Sequence, residues 1–499
     1  MPGMAAAPNI LLVVSDQERE RSWLPPDLRL PWRERLLAEG LELANFWTHS
    51  SPCSPSRATL MTGRYVPQHG VVDNVILPHH TPLDPALPTV GRLLGEHGYR
   101  SSYIGKWHLS YGPSPDMASY GYADWEGNDQ HFMGWAGTGA HFDPLIADNA
   151  AHWLRRNADA TEPWFLTVAL VNPHDVMWYP IDQVDYQQSH ADEVGFVKQF
   201  LDAAKWRGDD PLPTYPDAYP ELVSELPANF DDDLHLKPDA HRAWRRDQQH
   251  GIWGYIDPSD TRAWLRQLDY YADLHRRADE SLGTVLSALI DCGHWDDTVV
   301  LFTSDHGDMC GSHGLRSKGP FVYNEIMRVP CYVRVPGVTM AGARSTSLAS
   351  SVDIAPTIGA LAGLPAASIE QLAGVDLSPV LRDPTAFARD HVLFAMDSAH
   401  TSRINQTRYA LRGVFDGRYK YARYYGVGGG KPNDDFRWKE APKLYGEDAD
   451  FDDQDHELYD LVEDPHELVN LAGDRARRVE VRDWHDRMRE LEGSEFATG

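Results

Sequence analysis

The chain has 499 residues, with 46 lysines and arginines against 74 aspartates and glutamates, a formal net charge of −28. This length exceeds the size at which one hydrophobic core stops growing, so we expect one large domain and a smaller one. The acidic balance disfavours nucleic acid and anionic membranes as partners, because like charges repel. An anionic substrate would have to be met by a local group of cations.

Neither a membrane span nor a secretory leader is predicted. No run approaches the ~20 apolar residues that a spanning helix needs, and residues 1–8 lack the basic start of a signal peptide. The cysteines are few and irregularly spaced, which is typical of a reducing compartment. They are Cys53, Cys292, Cys310 and Cys331. We therefore predict a cytoplasmic protein.

Three apolar runs predict buried strands, at residues 10–14, 164–171 and 298–303. Each run leads into polar residues: Asp16 and Gln17 after the first, His174 after the second, Asp305 and His306 after the third. Open α/β sheets bind ligands at the carboxyl ends of their strands. These side chains are therefore candidates for one shared site.

Helical periodicity over residues 268–289, between the second and third runs, predicts an α/β fold with a central sheet flanked by helices. Near the C-terminus, residues 409–414 and 419–425 flank an Asp-Gly turn and predict a β-hairpin. We expect a catalytic domain over residues 1–390 and a small antiparallel-sheet α+β domain over residues 391–499. Residues 176–264 have no strong period and are rich in Trp and Tyr, which indicates a variable insertion near one end of the sheet.

Residues 53–57 read Cys-Ser-Pro-Ser-Arg and are followed by a Leu-Met-Thr-Gly-Arg run. Here the chain resembles the sulfatase family of the alkaline phosphatase superfamily. The resemblance implies an alkaline-phosphatase-like mixed sheet and a maturation enzyme that oxidises Cys53 to formylglycine, an aldehyde that hydrates to a geminal diol. One hydroxyl of the diol attacks sulfur, and the other later expels sulfate.

The resemblance also implies a divalent cation, held by Asp16, Gln17, Asp305 and His306 together with formylglycine at position 53. Carboxylate and amide oxygens with one imidazole suit such an ion. Calcium is the usual metal of sulfatases, and manganese is the alternative here. The cation would polarise the diol and hold a sulfate oxygen.

Residues 105–109 read Gly-Lys-Trp-His-Leu, similar to a segment of the family in which the lysine binds sulfate and the histidine contacts the diol. Alternation along an extended chain would point Lys106 and His108 to one side. The resemblance further assigns His174 to the leaving group, Lys318 to the bridging oxygen and Arg57 to a diol oxygen. Several cations around a dianion-like transition state supply electrostatic stabilisation.

The expected activity is hydrolysis of an aryl or alkyl sulfate ester. The pairs Asp16-Gln17 and Asp305-His306 look more like those of choline sulfatases and of phosphonate monoester and phosphodiester hydrolases, so hydrolysis of a phosphorus ester is the alternative. The intact Gly-Lys-Trp-His segment is sulfatase-like, whereas the proline that commonly follows the histidine at position 174 is absent. An anion-binding protein with unconverted Cys53 is a third hypothesis.

The leaving group stays open. Aromatic residues in 122–142 and in the insertion could stack on an aryl group or cage a quaternary ammonium. They could equally form a small core or the interface of a homo-oligomer.

Overall fold

The structure is a computed structural model that describes residues 7–76, 80–110, 116–126, 133–203, 219–250, 252–397, 407–429 and 449–497. The described residues form fourteen strands: β1 (Asn9–Asp16), β2 (Leu41–Leu43), β3 (Phe46–Trp47), β4 (Arg100–Gly105), β5 (Asp124–Glu126), β6 (Trp164–Pro173), β7 (Thr298–Ser304), β8 (Cys331–Arg334), β9 (Ala343–Ser345), β10 (Ala349–Ser350), β11 (Val392–Met396), β12 (Thr407–Phe415), β13 (Tyr419–Gly429) and β14 (Asp455–Asp460).

The same residues form fourteen α-helices: α1 (Pro31–Glu39), α2 (Cys53–Thr62), α3 (Val66–His69), α4 (Val90–Gly95), α5 (Thr138–Arg156), α6 (Val184–Ser189), α7 (Ala191–Ala203), α8 (Asp239–His250), α9 (Thr261–Asp291), α10 (Asn324–Met327), α11 (Ile354–Leu361), α12 (Ala366–Glu370), α13 (Ser378–Arg382) and α14 (Arg478–Leu491).

The central sheet has eight strands in the order β5-β4-β6-β1-β7-β8-β2-β9. The three predicted runs are β6, β1 and β7, neighbouring parallel strands in which Val13 pairs with Val168 on one side and Phe302 on the other. Strand β8 runs antiparallel to β7 and to β2, so the sheet is mixed, as expected.

Both faces of the central sheet are covered by helices, which explains why its strands are apolar throughout. In β1, Leu11 and Val13 pack with residues of α5 and α9. Ile10, Leu12 and Val14 point to the other face and pack with residues of α2, α4 and α11. The predicted helix over residues 268–289 is the inner part of α9, which runs from Thr261 to Asp291.

The C-terminal region contains a second, antiparallel sheet in the order β11-β12-β13-β14. The predicted hairpin is β12 and β13, and its turn has Gly417 at φ +96°. Asp416 Oδ1 accepts hydrogen bonds from the backbone N–H groups of Arg418 (3.0 Å) and Tyr419 (2.8 Å). The predicted fold class is therefore confirmed, whereas a domain boundary at residue 390 stays a prediction.

The segment predicted as an insertion supplies helices α6, α7 and α8 and the start of α9. Its described aromatic side chains are largely internal: Trp178, Trp244, Trp253 and Trp264 are all buried. Trp244 packs in a cluster that includes residues of β11, β12 and β13, Trp264 packs with other residues of α9, and Trp178 and Trp253 share a third, small cluster. The limits of this insertion and its role near the site stay predictions.

All four cysteines are free thiols. Among the described residues, no helix is both long and apolar enough to cross a membrane.

Candidate functional site

Four neighbouring parallel strands, β4, β6, β1 and β7, end at one edge of the central sheet. The chain emerging from these strands carries most of the predicted site residues: Lys106 and His108 after β4, His174 after β6, Asp16 and Gln17 at the end of β1, Asp305 and His306 after β7. Asp16 ends β1 and His306 follows β7, and these two strands are adjacent and parallel. Their shared direction therefore brings together two residues that are 290 positions apart in the sequence.

Cys53 is the first residue of α2, a helix whose residues are all buried. Its Sγ lies 3.3 Å from His306 Nε2, 3.3 Å from Lys318 Nζ and 3.6 Å from Asp16 Oδ1. Lys106 Nζ is 3.9 Å away. The resemblance predicts formylglycine at the position of this thiol, so these groups surround the predicted nucleophile.

The field at this position favours negative charge. Burial by itself raises the pKa of the Cys53 thiol, but the charges of Lys106, Lys318 and His306 outweigh it and hold that pKa well below its usual value. The same cations would stabilise an anionic ligand or an anionic transition state beside position 53.

A group of buried metal-ligating atoms surrounds the thiol. One ligand atom each of Asp16, Cys53, Asp305 and His306 lies within 4.8 Å of the others. Burial and the neighbouring charge of Asp16 raise the pKa of Asp305 to about 6. Two buried carboxylates that repel each other beside an imidazole form a donor set that fits a divalent cation. Asp16, Asp305 and His306 would hold it, with the residue at position 53.

Gln17 takes part in the site through both its backbone and its side chain. Its backbone N–H donates to Asp305 Oδ1 at 3.0 Å, and its φ is +67°. The side-chain Oε1 accepts a hydrogen bond from Lys318 Nζ, and Nε2 donates to Asp308. The structure thus places the amide oxygen on Lys318, and ligation of a metal by Gln17 stays a prediction.

Arg57 donates hydrogen bonds to the carboxylates of both Asp16 and Asp305. Its Nε donates to Asp305 Oδ2 at 2.9 Å and its Nη2 to Asp16 Oδ2 at 2.8 Å, while Nη1 donates to the backbone oxygen of Lys106 at 2.8 Å. Burial opposes the charged guanidinium, but both carboxylates raise the pKa of Arg57. These contacts position the carboxylates, and the predicted contact with a diol oxygen stays a prediction.

Lys106 and His108 both reach the site, although by a different backbone path from the one expected. Lys106 Nζ lies 2.6 Å from Asp16 Oδ2. His108 has φ +60°, so an extended chain through this segment was a wrong expectation. Burial lowers the pKa of His108, and its hydrogen bond to Cys53 acts in the opposite direction. His108 therefore contacts the predicted nucleophile.

His174 follows β6 and begins a short 3₁₀ turn, His174–Trp178. Burial and the charges of Lys318 and Lys106 lower the pKa of its imidazole to about 3. The ring is therefore neutral at pH 7, and its Nδ1 has no hydrogen-bond partner among the residues that the structure describes. A bound anion would act against the two lysines and raise this pKa.

Two further residues belong to the site and were missed by sequence reasoning. Asp308 holds the Gln17 amide and follows Asp305 in one polar run, which was a usable signal. Gly134, at φ +127°, lies against the site: a Cβ there would come 3.3 Å from His174 Cε1 and 3.4 Å from Lys106 Nζ. No local pattern in the sequence marks Gly134, because its importance depends on side chains distant in the chain.

Comparison with known proteins agrees with this fold. The multifunctional alkaline phosphatase superfamily protein PehA of Trinickia caryophylli is 26% identical over 95% of this chain and 93% of its own length. A 2-O GAG sulfatase shares the fold with a TM-score of 0.71 at 22% identity, covering 98% of this chain and 93% of that one. The phosphonate monoester hydrolase of Silicibacter pomeroyi does so with a TM-score of 0.70 at 18% identity, covering 98% and 96%.

Two family profiles match the chain. The N-sulphoglucosamine sulphohydrolase C-terminal profile matches residues 311–430. The sulfatase profile matches residues 8–364, which include every predicted site residue. The chain belongs to the sulfatase family.

Proposed function

We propose that this sulfuric ester hydrolase cleaves an aryl or alkyl sulfate with formylglycine at position 53 and one divalent cation, Ca²⁺. The observation that carries the proposal is the position of Cys53 Sγ, in contact with the imidazole of His306 and the ammonium of Lys318 and beside the carboxylate of Asp16. A nucleophile, candidate metal ligands and cations converge there, which is the constellation that such a reaction needs.

Formylglycine, hydrated to a geminal diol, would supply one hydroxyl that displaces the alcohol from sulfur and a second hydroxyl whose loss of a proton expels sulfate and restores the aldehyde. The residues around it have separable roles. Lys106 and Lys318 supply positive charge on the side of the thiol, and His108 is placed to hold or accept a proton from a hydroxyl at position 53. His174 and Lys318 are assigned to the leaving-group oxygen.

The maturation enzyme is the partner that this chemistry requires. All residues of α2 are buried in the folded chain, including the whole segment 53–57 that the enzyme would read. A second enzyme cannot reach a buried helix, so conversion must precede folding of this segment. A reducing, cytoplasmic setting suits the four free thiols and completes the proposal.

Ca²⁺ would be held by Asp16, Asp305 and His306, with Gln17 and position 53, and Mn²⁺ is the alternative. Bound metal supplies a Lewis acid and a template for a sulfate oxygen. Without a cation, the buried carboxylates of Asp16 and Asp305 repel each other.

Chelation should therefore lower both activity and melting temperature. A cation that binds only the folded state stabilises it by about 3–4 kcal/mol when present at roughly 100–1,000 times its Kd. Thermal melts and assays before and after EDTA treatment measure the effect, with elemental analysis to verify that the ion has left. Re-addition of Ca²⁺ or Mn²⁺ identifies the metal. A metal-free enzyme of unchanged activity and stability would contradict the assignment.

Hydrolysis of a phosphonate monoester or phosphodiester is the second candidate. It is favoured by Gln17 and His306, and by the likeness to a phosphonate monoester hydrolase structure. We expect a panel of aryl, choline and sugar sulfates, measured beside a phosphonate monoester and a phosphodiester, to give its highest kcat/KM with a sulfate. If a phosphorus ester gave the highest kcat/KM instead, the second candidate would be the function.

A further inference from the structure

We propose that Asp308 is a positioning residue that fixes the side-chain amide of Gln17 with its oxygen toward Lys318 and the carboxylate cluster. The inference rests on the proposed function, because it takes that cluster as the metal site. Asp308 does not touch Cys53 or either metal-site carboxylate in the contacts of the described residues, so its direct contact toward the site is the Gln17 amide, and its charge also acts on Lys318.

The Gln17 side chain lies between a carboxylate and an ammonium. Its Nε2 donates to Asp308 Oδ2, and its Oε1 accepts from Lys318 Nζ. An amide has one end that only donates and one that only accepts, a carboxylate only accepts, and an ammonium only donates. The two neighbours therefore admit a single orientation of the amide. A reversed amide would place its NH₂ against Lys318 and its oxygen against Asp308.

Asp308 is itself held in place. It is fully buried, and its second oxygen, Oδ1, accepts from the backbone N–H of Cys310 at 2.7 Å. The following turn is braced by Arg19, whose Nη1 donates to the backbone oxygen of Met309 at 3.2 Å and to Ser312 Oγ at 3.4 Å. The carboxylate thus has a fixed direction from which to accept the amide.

The backbone of Gln17 is equally constrained. Its N–H donates to Asp305 Oδ1, and its carbonyl oxygen accepts from the Tyr271 hydroxyl at 2.5 Å. Hydrogen bonds thus hold both the backbone N–H and the backbone carbonyl of Gln17. The side-chain amide could still rotate, and its hydrogen bond to Asp308 fixes its orientation. The outcome is a neutral oxygen acceptor beside Lys318, on the side of the candidate metal ligands.

Asp308→Asn tests the inference, because it replaces by an NH₂ group one of the two oxygens that accept from the Cys310 backbone N–H and from Gln17 Nε2. Ca²⁺ affinity is measured on the purified full chain by calorimetric titration of the chelated protein. Loss of such supporting contacts typically weakens metal binding by about 10–100-fold, and we expect a loss in that range. Asp269→Asn is the matched control: Asp269 is a buried carboxylate that accepts two backbone N–H bonds, from Leu222 and Val223, away from the site. It should leave Ca²⁺ affinity unchanged.

The exchanged pair Gln17→Glu with Asp308→Asn provides the rescue. In that variant the acceptor is at position 17 and the donor at position 308, so Ca²⁺ affinity should recover relative to Asp308→Asn. Gln17→Met provides a second route if Asp308→Asn does not fold, because it removes the amide at similar length and should weaken Ca²⁺ binding to a similar extent.

Unchanged Ca²⁺ affinity in Asp308→Asn or in Gln17→Met would overturn the inference. So would an exchanged pair that binds no better than Asp308→Asn, since Asp308 would then matter only as a buried charge. Failure of the proposed function has a different signature: the wild-type chain itself would show no Ca²⁺ binding, which removes the metal site and the inference together.

Discussion

Cys53→Ala should abolish sulfate ester hydrolysis and leave the fold intact. Alanine removes the atom from which formylglycine is made, and no other described residue offers a nucleophile at that point of contact with His306 and Lys318. Activity should fall below the detection limit of the assay, because the attack on sulfur and the later expulsion of sulfate both depend on this position. An assay with a nitrophenyl sulfate measures the loss of hydrolysis. Circular dichroism and thermal melts show whether the fold is intact.

Cys292→Ala is the matched control, since Cys292 is a partly exposed thiol at the end of α9, outside the site. It should retain activity. Mass spectrometry of the peptide around position 53 should show a loss of ~18 Da in a host with the maturation enzyme, the mass change from cysteine to formylglycine. Full activity of Cys53→Ala would contradict the proposed nucleophile. A chain that is never converted and never turns over substrate would instead support the anion-binding hypothesis.

His174→Ala and Lys318→Ala should depress kcat/KM for an alkyl or phenyl sulfate far more than for a nitrophenyl sulfate. A poor alkoxide needs a proton or a positive charge at the bridging oxygen, whereas nitrophenolate leaves unaided. A general acid typically accelerates a reaction by ~10²–10⁴-fold. The rate loss in both variants should therefore grow with the pKa of the leaving group. The measurement is kcat/KM for a series of aryl sulfates of graded leaving-group pKa, with both variants and wild type. The slope of log kcat/KM against leaving-group pKa should be steeper in the variants.

The low pKa of His174 makes the pH profile informative. Its imidazole is neutral above a pKa of about 3 in the unliganded site, so it can donate a hydrogen bond at pH 7 but carries a proton for transfer only if the bound anion raises its pKa. Loss of the Lys318 ammonium in Lys318→Ala should raise the pKa of His174, so activity on poor leaving groups should fall through deprotonation of His174 at a higher pH in that variant than in wild type.

His97→Ala is the control for the leaving-group series, because His97 is an exposed histidine beyond the end of α4. Its slope should equal that of wild type. Equal losses across all leaving groups in His174→Ala and Lys318→Ala would mean that these residues bind sulfate or shape the pocket, and their assignment to the bridging oxygen would be wrong.

Much of the site could be predicted because its residues stand in fixed local positions relative to strands. Asp16, His174 and Asp305 each follow an apolar run, and parallel strands that end at one edge bring such residues together. Local reasoning failed where backbone conformation decides direction. The expected alternation from Lys106 to His108 assumed extended backbone, yet His108 is left-handed at φ +60°, and such single-residue conformations leave no periodic trace.

The sequence by itself indicated the family and the α/β class, and it predicted the nucleophile at position 53, because periodicity and short motifs are properties of neighbouring residues. Only the tertiary structure decided what those residues contact. It placed Arg57 on the carboxylates of Asp16 and Asp305, and Gln17 between Asp308 and Lys318. It also set Gly134 against His174. Orientation and protonation depend on charges and burial contributed by distant segments, and these exist only once the chain has folded.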